Sequence, residues 1–146
     1  MPRPRGGEWL KGELASLKAR GVTDLASMLT PVEETELLLQ SEAQICAELG
    51  LKFHRHPIGD HGLPLQPGFD EFITSLLPVL MQQKGFIAIH CYAGIGRATV
   101  VAAALLCRLG LSADEAIGLI SLARGWDVPD THEQFDFIHG LEQRAT

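Results

Sequence analysis

The chain has 146 residues, 46% of them hydrophobic, which suffices for one domain with a single core and leaves little room for a second. Twelve Lys and Arg face 18 Asp and Glu, a formal net charge of −6 with no long block of like charge, so a nucleic-acid-binding surface is not indicated. No apolar run approaches the roughly 20 residues of a membrane span, Gly6-Gly7-Glu8-Trp9 stands where a secretion signal needs an apolar stretch, and three cysteines fit a reducing cytoplasm better than a disulfide framework.

Residues 1–8, rich in Pro, Arg and Gly, have a composition that rarely packs and are expected to form a flexible N-terminal tail ahead of one domain over residues 9–146. Trp9, Leu10, Leu14 and Leu17 recur at helical spacing until Gly21, and residues 22–29 read as a strand and its exit. Thr30-Pro31 opens a segment with helical patterns over residues 32–39 and 42–49, closed by Gly50 before the extended residues 51–56. Residues 58–67 carry Gly and Pro and read as a loop, whereas Phe69, Phe72, Ile73, Leu76, Leu77 and Leu80 mark a helix face that Pro78 should kink late.

Phe86-Ile87-Ala88-Ile89-His90 is apolar without polar alternation, as a strand buried on both faces of a parallel sheet reads. A short turn over residues 91–96 leads into an Ala-, Val- and Leu-rich helix over 97–109, stopped by Gly110. Ser112 caps a further helix over 113–123 with Asp114 and Glu115 in its first turn, and Asp130 or Thr131 caps the last. The expected fold class is α/β: a single layered domain whose central, mainly parallel sheet is flanked by helices, with the helical C-terminal third covering one face.

The chemistry concentrates in His90-Cys91-Tyr92-Ala93-Gly94-Ile95-Gly96-Arg97, a cysteine and an arginine five residues apart between a buried strand and a helix. Two glycines let the turn's amides point inward as a nest, and the helix start adds unpaired N–H groups and a positive dipole end. Such a cradle suits a tetrahedral oxyanion; its field favours the thiolate of Cys91, and Arg97 can fork hydrogen bonds to the same anion. A cysteine at a strand end is in general a small apolar residue, and only this constellation makes Cys91 a candidate nucleophile.

His-Cys, five residues and Arg, with Gly at the third and fifth places, resembles the signature loop of cysteine-based protein tyrosine phosphatases, and Cys-Tyr-Ala-Gly-Ile-Gly-Arg is most similar to the dual-specificity branch around cyclin-dependent kinase inhibitor 3 and the Cdc14 phosphatases. The resemblance implies phosphoester hydrolysis through a phosphocysteine, with Cys91 as nucleophile and Tyr92, Ala93, Gly94, Ile95, Gly96 and Arg97 binding phosphate. It implies a general acid upstream, because a leaving oxygen departs far more easily when protonated. Asp60, in Asp60-His61-Gly62-Leu63-Pro64, resembles the acid loop of such enzymes, with Asp70 a rival carboxylate one turn into a helix.

Arg124-Gly125-Trp126 followed by a helix bearing Gln134 is similar to the late Arg-Gly segment and glutamine loop of the same family. Gln134 fits the place of a water-positioning glutamine, although a solvated helix position explains it equally, and Asp130 stands where a first glutamine is usual. Ala98 departs from the Ser or Thr that usually follows the signature arginine and assists the cysteine sulfur as it leaves. Thr99 lies about 100° further round the helix, so slow phosphoenzyme turnover is in prospect. His90 reads as an organiser of the loop rather than a base.

His54, His56 and His61 suggest a metal only weakly, since no Cys or carboxylate partner has ligand spacing, and Cys46 and Cys107 belong to apolar helix faces. The expectation is a cytoplasmic, monomeric, cofactor-free and metal-independent phosphatase. Its substrates would be phosphotyrosine, and by extension phosphoserine or phosphothreonine, in a protein or peptide, with no nucleic-acid or membrane partner. The rivals are a phospho-residue-binding module with negligible turnover, a rhodanese-type sulfurtransferase, and a phosphoinositide phosphatase, the last disfavoured because the signature loop holds no lysine.

Overall fold

The computed structural model describes residues 1–145. Three parallel strands, β1 (Asp24–Ser27), β2 (Lys52–Arg55) and β3 (Ile87–His90), form one sheet in the order β2-β1-β3, so the first strand is central and the strand before the signature loop lies at an edge. An edge position differs from the central place expected for β3, but its apolar run has the same cause, because helices cover both sheet faces.

The helices are α1 (Leu10–Ala19), α2 (Pro31–Glu36), α3 (Glu42–Leu49), α4 (Gly68–Met81), α5 (Arg97–Arg108), α6 (Ala113–Arg124) and α7 (His132–Ala145), with a 3-10 turn over Gly7–Trp9. Alternation along β1 divides the core. Leu25 joins Leu10, Leu14, Leu39 and Cys46 of the α1 and α3 side, while Ala26 joins Phe69, Ile73, Val101 and Ile138 of the α4, α5 and α7 side. Ser112 and Glu115 form a reciprocal capping box at the start of α6. At α7 the two candidate caps resolve in favour of Thr131, whose hydroxyl accepts the Gln134 N–H while Gln134 Oε1 accepts the Thr131 N–H. Helix α4 continues three residues past Pro78. Among the described residues, no helix is long and apolar enough to cross a membrane.

Residues 1–8, expected to be an unpacked tail, lie instead along the body of the fold. The Met1 amino group donates to Ile89 O at 2.7 Å, the Arg3 N–H and Nη1 both reach Tyr92 O, Pro4 is buried, and Gly7 N–H donates to Leu38 O at 3.0 Å. Composition misled because most of these contacts are made by backbone. Gly6 is pressed so closely on the carbonyls of Leu37 and Leu38 that no side chain would fit.

The register sets Ser27 level with Arg55 on one side and His90 on the other, so all three strands end at one edge of the sheet. Beyond the strands, Met28 N–H donates to His90 O and Ile58 N–H to Met28 O, holding the three exits side by side. Glu33 follows the first strand, Asp60 the second and Cys91 the third, which brings three distant stretches of sequence to the carboxyl edge where open α/β sheets bind ligands.

Candidate active site

Residues 91–96 leave β3 and turn into α5. Gly94 adopts φ +76°, a left-handed conformation that favours glycine, and its N–H donates to Cys91 Sγ at 3.3 Å. The carbonyls on the outside of the same turn are held by Arg124, whose Nε donates to Gly94 O at 3.2 Å and Nη2 to Ala93 O at 3.4 Å. Gly96 offers no side-chain cap to α5, so the first-turn N–H groups of that helix remain directed at the mouth of the turn. Cys91 is 3% exposed at the floor of a cleft of about 180 Å³ lined also by Tyr92, Ala93, Gly96, Arg97, Asp60, His61, Asp130 and Gln134.

Of the site residues expected from the sequence, Asp60, Cys91, Tyr92, Ala93, Gly96, Arg97 and Gln134 line this cleft and His90 lies beneath it, whereas Gly94 and Ile95 do not line it and Asp70 is set apart. The Asp70 carboxylate accepts from Gln66 and lies 3.7 Å from Arg108, in a separate depression between α4, α5 and α7. Asp60 Oδ1 accepts the N–H of His61 and one N–H of Arg97 Nη2, at 3.1 and 3.2 Å. Gln134 is 1% exposed, and a methyl group on Gly96 would sit 2.9 Å from its Nε2. Gln134 Oε1 is committed to the Thr131 N–H, which leaves the side-chain NH₂ as the donor of a residue that lines the cleft.

Arg97 is 2% exposed, and its hydrogen bonds can be counted. Nη1 donates to Glu33 Oε1 and to Ile58 O, both at 2.7 Å; Nη2 donates to Glu33 Oε2 at 2.8 Å and to Asp60 Oδ1 at 3.2 Å. These contacts leave Nε–H unused and make Asp60 the most weakly held partner. The Arg97 hydrogen bonds hold the Glu33 carboxyl below its ordinary pKa, against the opposing effect of burial. Glu33 escaped sequence reasoning, although a signal was present: Thr30 and Glu33 form a capping box at the start of α2, which fixes the carboxylate on the helix end facing Arg97.

Beneath Cys91, His90 is fully buried with Nε2 2.6 Å from Glu42 Oε1 and Nδ1 3.2 Å from Cys91 O. Glu42 is likewise 0% exposed and was not among the sequence candidates. Ala98 is buried and contributes no hydroxyl to Cys91. The Thr99 hydroxyl is buried without a hydrogen-bond partner among the described residues, and the residue lines a different depression, beside Met1 and Ile120. The three histidines that hinted at metal go separate ways. His54 bonds Asp24 at 2.7 Å, His56 stacks on Phe72 at 4.7 Å, and His61 lies 3.2 Å from Asp130. Cys46 and Cys107 are core residues, and burial pushes the Cys46 thiol up to about 12, with Glu42 one helical turn away adding to the rise.

Comparison with known proteins places this geometry. Cyclin-dependent kinase inhibitor 3 of Homo sapiens is 30% identical over 130 residues, covering 88% of this chain and 61% of the relative, so the chain spans about three-fifths of that protein's length. A crystal structure of kinase-associated phosphatase with its catalytic-site cysteine replaced by serine superposes with a TM-score of 0.87 at 25% identity, covering 99% of this chain and 84% of the other. The active form of the phosphatase Tk-PTP gives 0.78 at 25% identity over 99% of this chain and 88% of its own. The family model for cyclin-dependent kinase inhibitor 3 matches residues 9–117, three-quarters of the chain and the whole stretch from α1 through the signature loop into α6. The chain belongs to the cyclin-dependent kinase inhibitor 3 family.

Proposed function

We propose that this protein is a cysteine-dependent phosphomonoester hydrolase acting on phosphotyrosine and, as the dual-specificity resemblance extends it, on phosphoserine and phosphothreonine in protein substrates. The observation that carries the proposal is one cleft holding Cys91 Sγ against the Gly94 N–H, Arg97 on its wall and Asp60 on the loop above. The Cys91 thiolate attacks phosphorus in line with the leaving oxygen, forming a phosphorus–sulfur bond as the phosphorus–oxygen bond breaks. Arg97, the inward amides and the start of α5 hold the equatorial oxygens, whose charge they match. Asp60 gives its proton to the leaving oxygen, then as carboxylate takes one from the water that attacks phosphocysteine and releases the thiolate. His90 and Gln134 support the loop and the water, and no metal or organic cofactor takes part.

Hydrolysis of p-nitrophenyl phosphate in the presence of chelator tests this. Wild type should turn over and bind orthovanadate, Cys91→Ser should be inactive, and Asp60→Asn should be slow. Activity surviving in Cys91→Ser, or abolished by chelator in wild type, would sink the mechanism. A second reading, a module that binds phosphorylated residues without turning them over, is favoured by one feature: Ala98 supplies no hydroxyl to the departing sulfur, and the Thr99 hydroxyl makes no hydrogen bond to it. Vanadate or phosphopeptide binding with neither burst nor turnover would select that reading. Cyanide-dependent conversion of thiosulfate to thiocyanate would select a sulfurtransferase.

A further inference from the structure

We propose that Glu42 is a positioning residue that acts through His90 to hold the signature loop in the shape that activates Cys91. Two fully buried side chains are joined at 2.6 Å by Glu42 Oε1 and His90 Nε2, while the opposite ring nitrogen, Nδ1, lies 3.2 Å from the carbonyl oxygen of Cys91. A carbonyl oxygen only accepts, so the Nδ1 contact requires a proton on Nδ1. Nε2 then either carries a second proton donated to a Glu42 carboxylate or accepts one from a Glu42 carboxyl. Both arrangements leave the pair neutral overall and keep Nδ1–H aimed at Cys91 O. Glu42 thus fixes both the tautomer and the ring orientation, as a carboxylate behind a histidine commonly does.

Packing alone does not account for the residue. Glu42 Oε2 is buried with no hydrogen-bond partner among the described residues, a desolvation cost that leucine would not carry in this apolar layer of Leu39, Cys46 and Leu25. Its place at the first residue of α3 moderates that cost, since a helix start favours negative charge. The path to the nucleophile is short. His90 grips the carbonyl of Cys91 where the turn begins, and three residues on the Gly94 N–H must reach Cys91 Sγ.

The inference rests on the phosphatase reading only for its kinetic consequence, and the test separates the two. Long-range proton–nitrogen correlation spectra of histidine-labelled wild type, with His90 identified through His90→Asn, should show a proton on Nδ1 of His90. Iodoacetamide reports Cys91 reactivity without any turnover, and the buried, raised thiols of Cys46 and Cys107 keep that signal clean. Glu42→Leu should slow alkylation at pH 7 by about five- to tenfold, the factor carried by one ordinary hydrogen bond, and should disturb the Nδ1–H signal. Glu42→Gln, whose amide can still donate to Nε2, should restore most of both. A bare Nδ1 in wild type overturns the proposal whether or not Glu42→Leu folds, as does wild-type alkylation in a folded Glu42→Leu. Altered alkylation in a protein that never hydrolyses p-nitrophenyl phosphate would support Glu42 and remove the phosphatase reading instead.

Discussion

Replacing Glu33 by Gln tests whether the Arg97 guanidinium depends on its carboxylate. The variant keeps one acceptor oxygen but turns an NH₂ group toward a guanidinium that already points donors at it, leaving a charge that is 2% exposed without its closer, bidentate counter-ion. Removing one partner of a buried ion pair costs ~3–5 kcal/mol. Arg97 keeps Ile58 O and Asp60, and the Glu33 side chain is 13% exposed, which brings the expectation to about 2–3 kcal/mol. At about 3 °C per kcal/mol for a domain of this size, Tm should fall by about 6–9 °C at pH 7, with a matching fall in the urea midpoint and little change in m. The sign of the pH dependence follows from the lowered folded pKa of Glu33, caused first by its hydrogen bonds to Arg97. The contribution is complete above the unfolded carboxyl value of ~4.3 and is lost as pH falls through the lower folded value. The gap between wild type and variant should therefore be constant from neutral pH down to about 5 and close below about 4. An unchanged Tm at pH 7, or a gap persisting undiminished at pH 3, would refute the reasoning.

Asp60→Asn should bind orthovanadate more tightly than wild type while turning over more slowly, because it removes both the proton donor and a carboxylate that competes for Arg97 Nη2; weaker vanadate binding in equilibrium titration would count against that competition. Ala98→Ser should speed phosphocysteine hydrolysis, read in rapid-mixing experiments as a smaller burst relative to the steady rate, and an identical burst would show that the hydroxyl does not matter here. Gly94→Ala should lose both stability and thiol reactivity, since alanine is strained at φ +76° and its methyl group would collide with the carbonyl of Met1. Phe69→Ala, which empties a 0% exposed site between His56 and Phe137, should cost ~3–5 kcal/mol in urea unfolding without moving KM.

The layered α/β fold and its parallel sheet were legible because their signals are local. The apolar run into His90, the glycines of the following turn, the stop at Gly110 and the cap at Ser112 each speak within a few residues. The position of Asp60 at the cleft was legible for the same reason, as a carboxylate in a loop of glycine and proline. Glu33 and Glu42 were not. Their partners lie 64 and 48 residues away, and within α2 and α3 each resembles the acidic first-turn residue of an ordinary solvated helix. Burial of an acid is a tertiary event, and an unaligned sequence carries no mark of it unless the local cap, as at Thr30, happens to restrict where the carboxylate can point. The amino-terminal segment failed in the opposite direction: its composition argued against packing, yet Gly6 is what permits the close backbone approach to Leu37 and Leu38, and the backbone of Arg3 reaches Tyr92.

The donor count at Arg97 joins substrate binding to acid catalysis in the proposed reaction. Both protons of Nη1 are held at 2.7 Å, one by Glu33 and one by Ile58 O, and one of Nη2 by Glu33 at 2.8 Å, so these donors stay fixed and hold the guanidinium plane. Nε–H and the second Nη2–H lie on the same edge of the guanidinium, spaced to fork two oxygens of one oxyanion. The second of these is occupied by Asp60 at 3.2 Å, the longest contact of the four. An arriving phosphate must displace Asp60 to complete its fork, and the carboxyl so released sits on a loop between Gly59 and Gly62, above the Cys91 cleft. Glu33 is what makes the exchange selective: by pinning the far edge of the guanidinium it leaves Asp60, and nothing else, to yield.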